Sequence, residues 1–159
     1  TLEIKGLTPV DATQTPLKTE VNQALFHGLT PITVVNNRVQ IMRAITTYTK
    51  SPANVDDPAW LDLTTIRTLD YTRKAIEQRI ALRFPRAKLS KRTPPKVRSE
   101  ILDVLYRLED LEILENIDAN KNKLLVVRNG QDPNRLDTAI PADVVNGLHV
   151  VANRIDLIL

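Results

Sequence analysis

Two stretches of this chain place apolar side chains at helical spacing. Ile66, Leu69, Ile76 and Ile80 do so over a segment ending near Leu82, and Val97, Ile101, Val104, Leu105, Leu108 and Leu111 do so after Thr93, Pro94 and Pro95. Intervals of three and four put such residues on one face, so the pattern predicts two long amphipathic helices, the second opened by a threonine and prolines suited to a first turn. A shorter helix is predicted from Thr15 and Pro16, with Val21, Ala24 and Leu25 on one face and His27 and Gly28 at its end.

The β-branched runs 32–35 and 39–48 flank Asn36 and Asn37, a pair that tolerates the positive φ of a tight hairpin turn. In the second run Val39, Ile41, Arg43, Ile45 and Thr47 alternate with Gln40, Met42, Ala44 and Thr46. Neither set is polar throughout, so both faces are expected to be covered. Residues 123–128 read as a strand, Asn129-Gly130 and Asp132-Pro133 as a turn, 135–140 as the returning strand and 148–159 as a last strand. Residues 50–58 read as a proline-bounded loop.

The expected fold class is α+β: a mixed β-sheet with a β-hairpin, covered by two long helices and one shorter N-terminal helix. The expected organisation is an extended arm or linker at 1–14, an α+β domain at 15–153 and a C-terminal strand at 154–159.

With 159 residues, 42% hydrophobic and 26% charged, the chain is ordinary for one folded domain. No apolar run approaches the roughly 18 residues of a membrane helix, and the first residues lack the design of a signal peptide. Zero cysteines exclude disulfides, thiolate metal sites and cysteine nucleophiles. Thr1 in place of methionine leads to the expectation that the chain is a piece of a longer protein.

Charge changes the picture more than composition does. The net charge is only +3, yet residues 79–98 hold Arg79, Arg83, Arg86, Lys88, Lys91, Arg92, Lys96 and Arg98 and no acidic residue. Glu100, Asp103, Glu109, Asp110, Glu112, Glu115 and Asp118 follow, against Arg107 alone. Such a split suits head-to-tail contact between copies, and it suits a polyanion equally.

Candidate chemistry is sparse. His27 and His149 lack any metal-binding spacing, and Gly6, Gly28, Gly130 and Gly147 are isolated, so no phosphate-cradling loop is formed. The pairs Asp56-Asp57 and Glu109-Asp110 read as caps or solvated groups. No catalytic residue, cofactor or metal is expected, and the chain is not expected to be an enzyme. The basic segment interleaves a single aromatic residue, Phe84, where a nucleic-acid site would ordinarily add stacking platforms. A protein-facing surface is the preferred reading, with a nucleic-acid-binding module using residues 79–98 as the alternative. The alternating residues Arg154, Ile155, Asp156, Leu157, Ile158 and Leu159 can pair within their own sheet or complete a sheet in a neighbouring copy.

Several separated blocks carry a resemblance: Leu29-Thr-Pro-Ile-Thr-Val-Val-Asn-Asn-Arg-Val-Gln-Ile-Met-Arg-Ala-Ile-Thr-Thr-Tyr, Leu63-Thr-Thr-Ile-Arg-Thr-Leu-Asp-Tyr-Thr-Arg, Leu82-Arg-Phe-Pro-Arg-Ala-Lys-Leu-Ser, Asp132-Pro-Asn-Arg-Leu and Ile140-Pro-Ala-Asp-Val-Val-Asn-Gly-Leu. In this order they are similar to the C-terminal domain of the contractile tail sheath proteins of Mu-like bacteriophages. The resemblance implies a virion protein, assembled in the host bacterial cytoplasm, that polymerises around a tail tube and contracts to drive the tube through the host envelope. It implies other sheath subunits, the tail tube protein, the baseplate and the tail terminator as partners, and neither nucleic acid nor membrane. It also implies that residues 2–13 and Arg154 to Leu159 are arms exchanged between subunits, which turns the reading of the last strand towards exchange. Arg86, Lys88, Lys91, Arg92 and Lys96 are then the candidates for a tube-facing or intersubunit surface.

Overall fold

The computed structural model describes residues 3–149 and 151–156. Its elements, in chain order, are α1 (Lys18–Phe26), β1 (Ile32–Val35), β2 (Arg38–Ile41), α2 (Leu63–Arg83), α3 (Thr93–Asp110), α4 (Ile117–Asn120), β3 (Leu125–Arg128) and β4 (Leu136–Ala139), with short 3₁₀ turns at Ala12–Gln14 and Lys121–Lys123. The fold is α+β. The strands form two separate antiparallel pairs, β1 with β2 and β3 with β4, where the sequence suggested one mixed sheet. Each pair is a local hairpin, and a hairpin satisfies its inner edge without recruiting strands from elsewhere in the chain. The chain divides into two compact units, Thr1–Ile66 with Asn146–Leu159, and Arg67–Val145. The span 15–153 contributes to both.

In the first unit the hairpin pairs Ile32 with Ile41 and Val35 with Arg38. Asn36 and Asn37 have φ of 50° and 59°, the paired positive values of a two-residue turn whose twist matches the strands. The extended N-terminal segment lies along the outer edge of β2: Glu3 bridges Gln40, the Ile4 N–H donates to the Val39 carbonyl at 2.9 Å, and Arg38 pairs with Glu3 at 3.3 Å.

β2 ends at Ile41, short of the predicted strand 39–48. β1 is only four residues long, so it offers no ladder to residues beyond Met42, whose N–H donates to the Pro31 carbonyl. Residues 44–46 instead bond to 61–63: the Thr46 N–H donates to Leu61 at 2.7 Å and the Leu63 N–H to Ala44 at 3.2 Å.

Helix α1 starts at Lys18, later than Thr15-Pro16 suggested. The Thr15 hydroxyl turns back to the Asp11 carbonyl, and the Glu20 carboxylate instead accepts from the Leu17 N–H at 2.7 Å. The C-terminus follows the expected glycine stop. Gly28 sits at φ 73°, its N–H donates to Leu25 and the Leu29 N–H to Ala24, which satisfies the last carbonyls.

The second unit holds the larger core. Val97, Ile101, Val104, Leu105 and Leu108 from α3 are buried against Ile76, Leu114, Ile117 and Leu124. The α3 stripe is the predicted one except for Leu111, which is 63% exposed because the helix has already ended at Asp110. Left-handed residues at Glu112 and Asn116 then reverse the chain and return Leu114 and Ile117 to the core, forming the unpredicted α4. Its first N–H, that of Ile117, donates to Glu109 at 2.9 Å, so one member of the Glu109-Asp110 pair works as a cap. In the β3–β4 hairpin, Leu125 pairs with Ala139 and Arg128 with Leu136. The Asn129 carboxamide accepts from the N–H groups of Gln131 and Asp132 and donates to Asp137, which fixes the turn as Asx chemistry predicts.

The predicted last strand is not part of any ladder among the described residues. Residues 146–149 and 151–156 are without regular structure, and Leu148, Val151 and Ile155 are exposed. An alternating sequence favours extension, but a strand exists only where an edge accepts it. Leu157, Ile158 and Leu159 lie outside the described residues.

Candidate assembly surfaces

Within the second unit the basic segment and the acidic one that follows it fold back on each other. Arg79 bonds Glu100 at 2.6 Å and Asp103 at 2.9 Å, Arg83 bonds Glu100 at 3.1 Å, and Arg107 joins Asp103 at 3.1 Å. These contacts run α2 antiparallel to α3. The Arg79 guanidinium, and after it Arg83, hold the Glu100 carboxyl below its usual range, against a smaller opposing effect of burial. Arg98 donates to the carbonyls of Lys121 at 2.7 Å and Leu124 at 3.3 Å, tying the turn before β3 to α3.

Three of the eight basic residues are therefore spent inside the unit. The other five are Arg86, Lys88, Lys91, Arg92 and Lys96. All are exposed, and among the described residues none has a carboxylate partner within 4 Å. Four of them sit on the loop between α2 and α3, and that loop is held. The Thr93 hydroxyl accepts from the Ser90 N–H at 3.0 Å and donates to the Lys88 carbonyl at 2.7 Å, while Arg128 donates to the carbonyl of Leu89. Phe84 packs partly buried against the core at its start. The five candidates named from the sequence are thus exposed, four of them on an anchored loop and Lys96 in the first turns of α3.

The first unit contains a polar cluster that the sequence reading did not single out. Arg43 makes a two-pronged pair with Asp62, Nε to Oδ1 at 2.8 Å and the terminal nitrogen to Oδ2 at 2.7 Å. Nε2 of His149 approaches the same carboxylate at 3.5 Å. The three residues are far apart in the chain and share no motif, so periodicity and spacing carry no signal for them. His27, the other histidine, is occupied by the Gln23 carbonyl, 2.8 Å from its Nδ1. Asp57 accepts from the Tyr48 hydroxyl and the Ala59 N–H, again as a cap. The C-terminal candidates Arg154, Ile155 and Asp156 are exposed, and Arg154 pairs only locally with Asp156 at 2.9 Å. No group of three or more His, Cys, Asp or Glu among the described residues is placed to hold a metal ion, and no described helix is long and apolar enough to cross a membrane.

Among the described residues, the second unit carries exposed cations on an anchored loop, and residues 146–149 and 151–156 of the first unit join no ladder. Residues 55–158 match the family model of the phage tail sheath C-terminal domain, and the chain belongs to that family, whose members are structural parts of phage tails. It is 32% identical over 152 residues to the Mu-like prophage FluMu tail sheath protein of Haemophilus influenzae, a match covering 88% of this chain and 31% of that protein. The chain thus spans about a third of the curated relative. The fold is similar to that of a sheath tail protein from Desulfitobacterium hafniense, with a TM-score of 0.58 at 18% identity over 75% of this chain and 28% of that one.

Proposed function

We propose that this chain is the tube-adjoining domain of a contractile sheath subunit, acting by contact rather than by catalysis. The observation that carries the reading is the set of five cations on the α2–α3 loop and the start of α3, which have no partner in the chain among the described residues. In this reading Arg86, Lys88, Lys91, Arg92 and Lys96 face an acidic surface on the tail tube protein or on another sheath subunit. Exposed ion pairs are individually weak, so several together template assembly on the tube and still separate when the sheath fires.

Arg154 to Leu159 and residues 2–13 serve as arms that add strands to neighbouring subunits. The bonding of Glu3 and Ile4 along β2 supports this, because it is strand addition performed within one chain. Repeated head-to-tail contacts that do not close give a helical lattice, which subunits linked by arms can shorten without dissociating. The baseplate starts that rearrangement and the tail terminator caps the lattice.

The test is electron microscopy of the product of the whole reading frame, expressed with and without its tail tube partner. Tubular polymers are expected. They should be lost on deletion of residues 154–159, and binding to the tube should be lost when the five cations are changed to glutamate. A charge-reversed protein that still coats tubes would remove the role assigned to the loop, and a parent that never polymerises would remove the sheath reading.

A further inference from the structure

The dipeptide Asn-Gly occurs twice in the chain, at 129–130 and at 146–147. Such a pair has a reactivity of its own. With no Cβ on the second residue, its backbone nitrogen can swing onto the asparagine side chain, and the reaction then depends on whether the surrounding structure lets the two atoms approach.

The first pair is held. The Asn129 carboxamide oxygen accepts from the N–H groups of Gln131 and Asp132, both at 2.8 Å, and its nitrogen donates to Asp137 at 2.6 Å. The Asn129 N–H donates to the Arg135 carbonyl at 3.0 Å. Turning that carboxamide towards the Gly130 nitrogen breaks the side-chain bonds that fix the hairpin turn.

The second pair is not held. The Val145 N–H donates to the Ile113 carbonyl at 3.3 Å and Val144 bridges Leu114, and the second unit ends there. Asn146 and Gly147 are exposed and lie outside regular structure, and among the described residues neither makes a hydrogen bond. A Cβ on Gly147 would meet only the exposed His149 ring, at 3.3 to 3.4 Å, so no backbone is packed against the glycine to restrain it.

We propose that Asn146 is a site of spontaneous covalent modification through the Gly147 backbone. The Gly147 nitrogen attacks Cγ of Asn146 and gives up its proton. A new C–N bond forms, the bond from Cγ to Nδ2 breaks, and ammonia leaves a cyclic imide behind. Water then adds across either C–N bond of the imide. One opening gives aspartate in an ordinary main chain, and the other gives isoaspartate, with the main chain running through the former side chain. Water is the only co-reactant, and nothing is oxidised or reduced. Both products add a negative charge, and isoaspartate adds a carbon to the main chain, where the chain leaves the second unit for the segment that carries the candidate arm 154–159. The consequence rests on the arm reading above: the modification alters the reach and charge of the arm in subunits that age before they assemble. The chemistry itself needs no assembly.

The test incubates the folded 159-residue chain at neutral pH, below its unfolding midpoint, and follows both asparagines by peptide mass spectrometry with fragmentation that separates aspartate from isoaspartate. Asn146 should convert to both products, and Asn129 should be slower by roughly tenfold or more, because its hydrogen bonds must break first. In denaturing urea the two rates should converge, which would show that structure and not sequence separates them. Gly147→Ala should slow conversion at 146 and leave Asn129 as it was, and an unchanged melting curve would show that the variant is folded. Equal rates at the two sites in the folded chain, a rate at 146 unaffected by Gly147→Ala, or an intact Asn146 after the time in which unfolded chain converts would overturn the proposal. The reaction is read within a single chain, so failure of the site and failure of the sheath reading are separate results.

Discussion

Thr72 is 4% exposed, and its hydroxyl has no hydrogen-bond partner among the described residues. A buried hydroxyl without a partner has lost its water and gained nothing in return. Thr72→Val keeps the shape and removes the orphan, so it should stabilise the chain by about 1 kcal/mol in urea unfolding. Glu100 works in the opposite sense. Its folded-state carboxyl is held below the ordinary value by Arg79 and Arg83, so the stability it contributes is present above the unfolded value and is lost as pH falls through the lowered one. Glu100→Gln should lower stability at neutral pH and flatten the acid limb of a stability profile. An acid limb unchanged by the substitution would show that the pair of arginines does nothing for the fold.

Elements were legible where local chemistry alone decides them. The α3 stripe, the Asn36-Asn37 turn, the glycine stop of α1 and the Asn129 turn each follow from residues close together in sequence. Gly28→Ala therefore has a defined cost: φ of 73° is unfavourable for a residue with a Cβ, and that atom would lie 3.1 Å from the Thr47 backbone. A loss of about 1–2 kcal/mol is expected, read as a lower unfolding midpoint. Illegible elements depend on partners elsewhere. Residues 42–48 leave the ladder because β1 is short and 61–63 compete for their backbone, and α4 forms because Glu112 and Asn116 adopt left-handed turns that their types only mildly favour. The same division applies to the candidate surfaces. The five outward cations could be named from the charge run, but the run could not tell them from Arg79 and Arg83, whose partners appear only when α2 and α3 are brought together, or from Arg98, which bonds the carbonyls of Lys121 and Leu124. His149 and Asp62 gave no sign of each other, and the described residues of the strand expected at 148–159 pair with no described strand.

At the scale of the whole molecule, the five cations proposed to meet a partner sit on one loop and one helix start. Arg92 and Lys96 lie at the first turn of α3, where the helix dipole favours negative charge. Changing these five cations to glutamate should therefore leave the unfolding midpoint unchanged or slightly raised, measured by thermal melting, while assembly is lost. A large fall in the midpoint would mean that the loop supports the fold and that its loss of binding says nothing about contact.

The Arg79–Glu100–Asp103 network has a practical corollary in ionic strength. Its members meet at 2.6 to 2.9 Å and are partly shielded from water, whereas the loop cations stand in solvent. At about 1 M salt, charges more than roughly 3 Å apart in solvent no longer sense each other, but contacts this short and shielded persist. Concentrated salt should thus weaken the proposed contact of the exposed cations with an acidic partner and leave the chain folded.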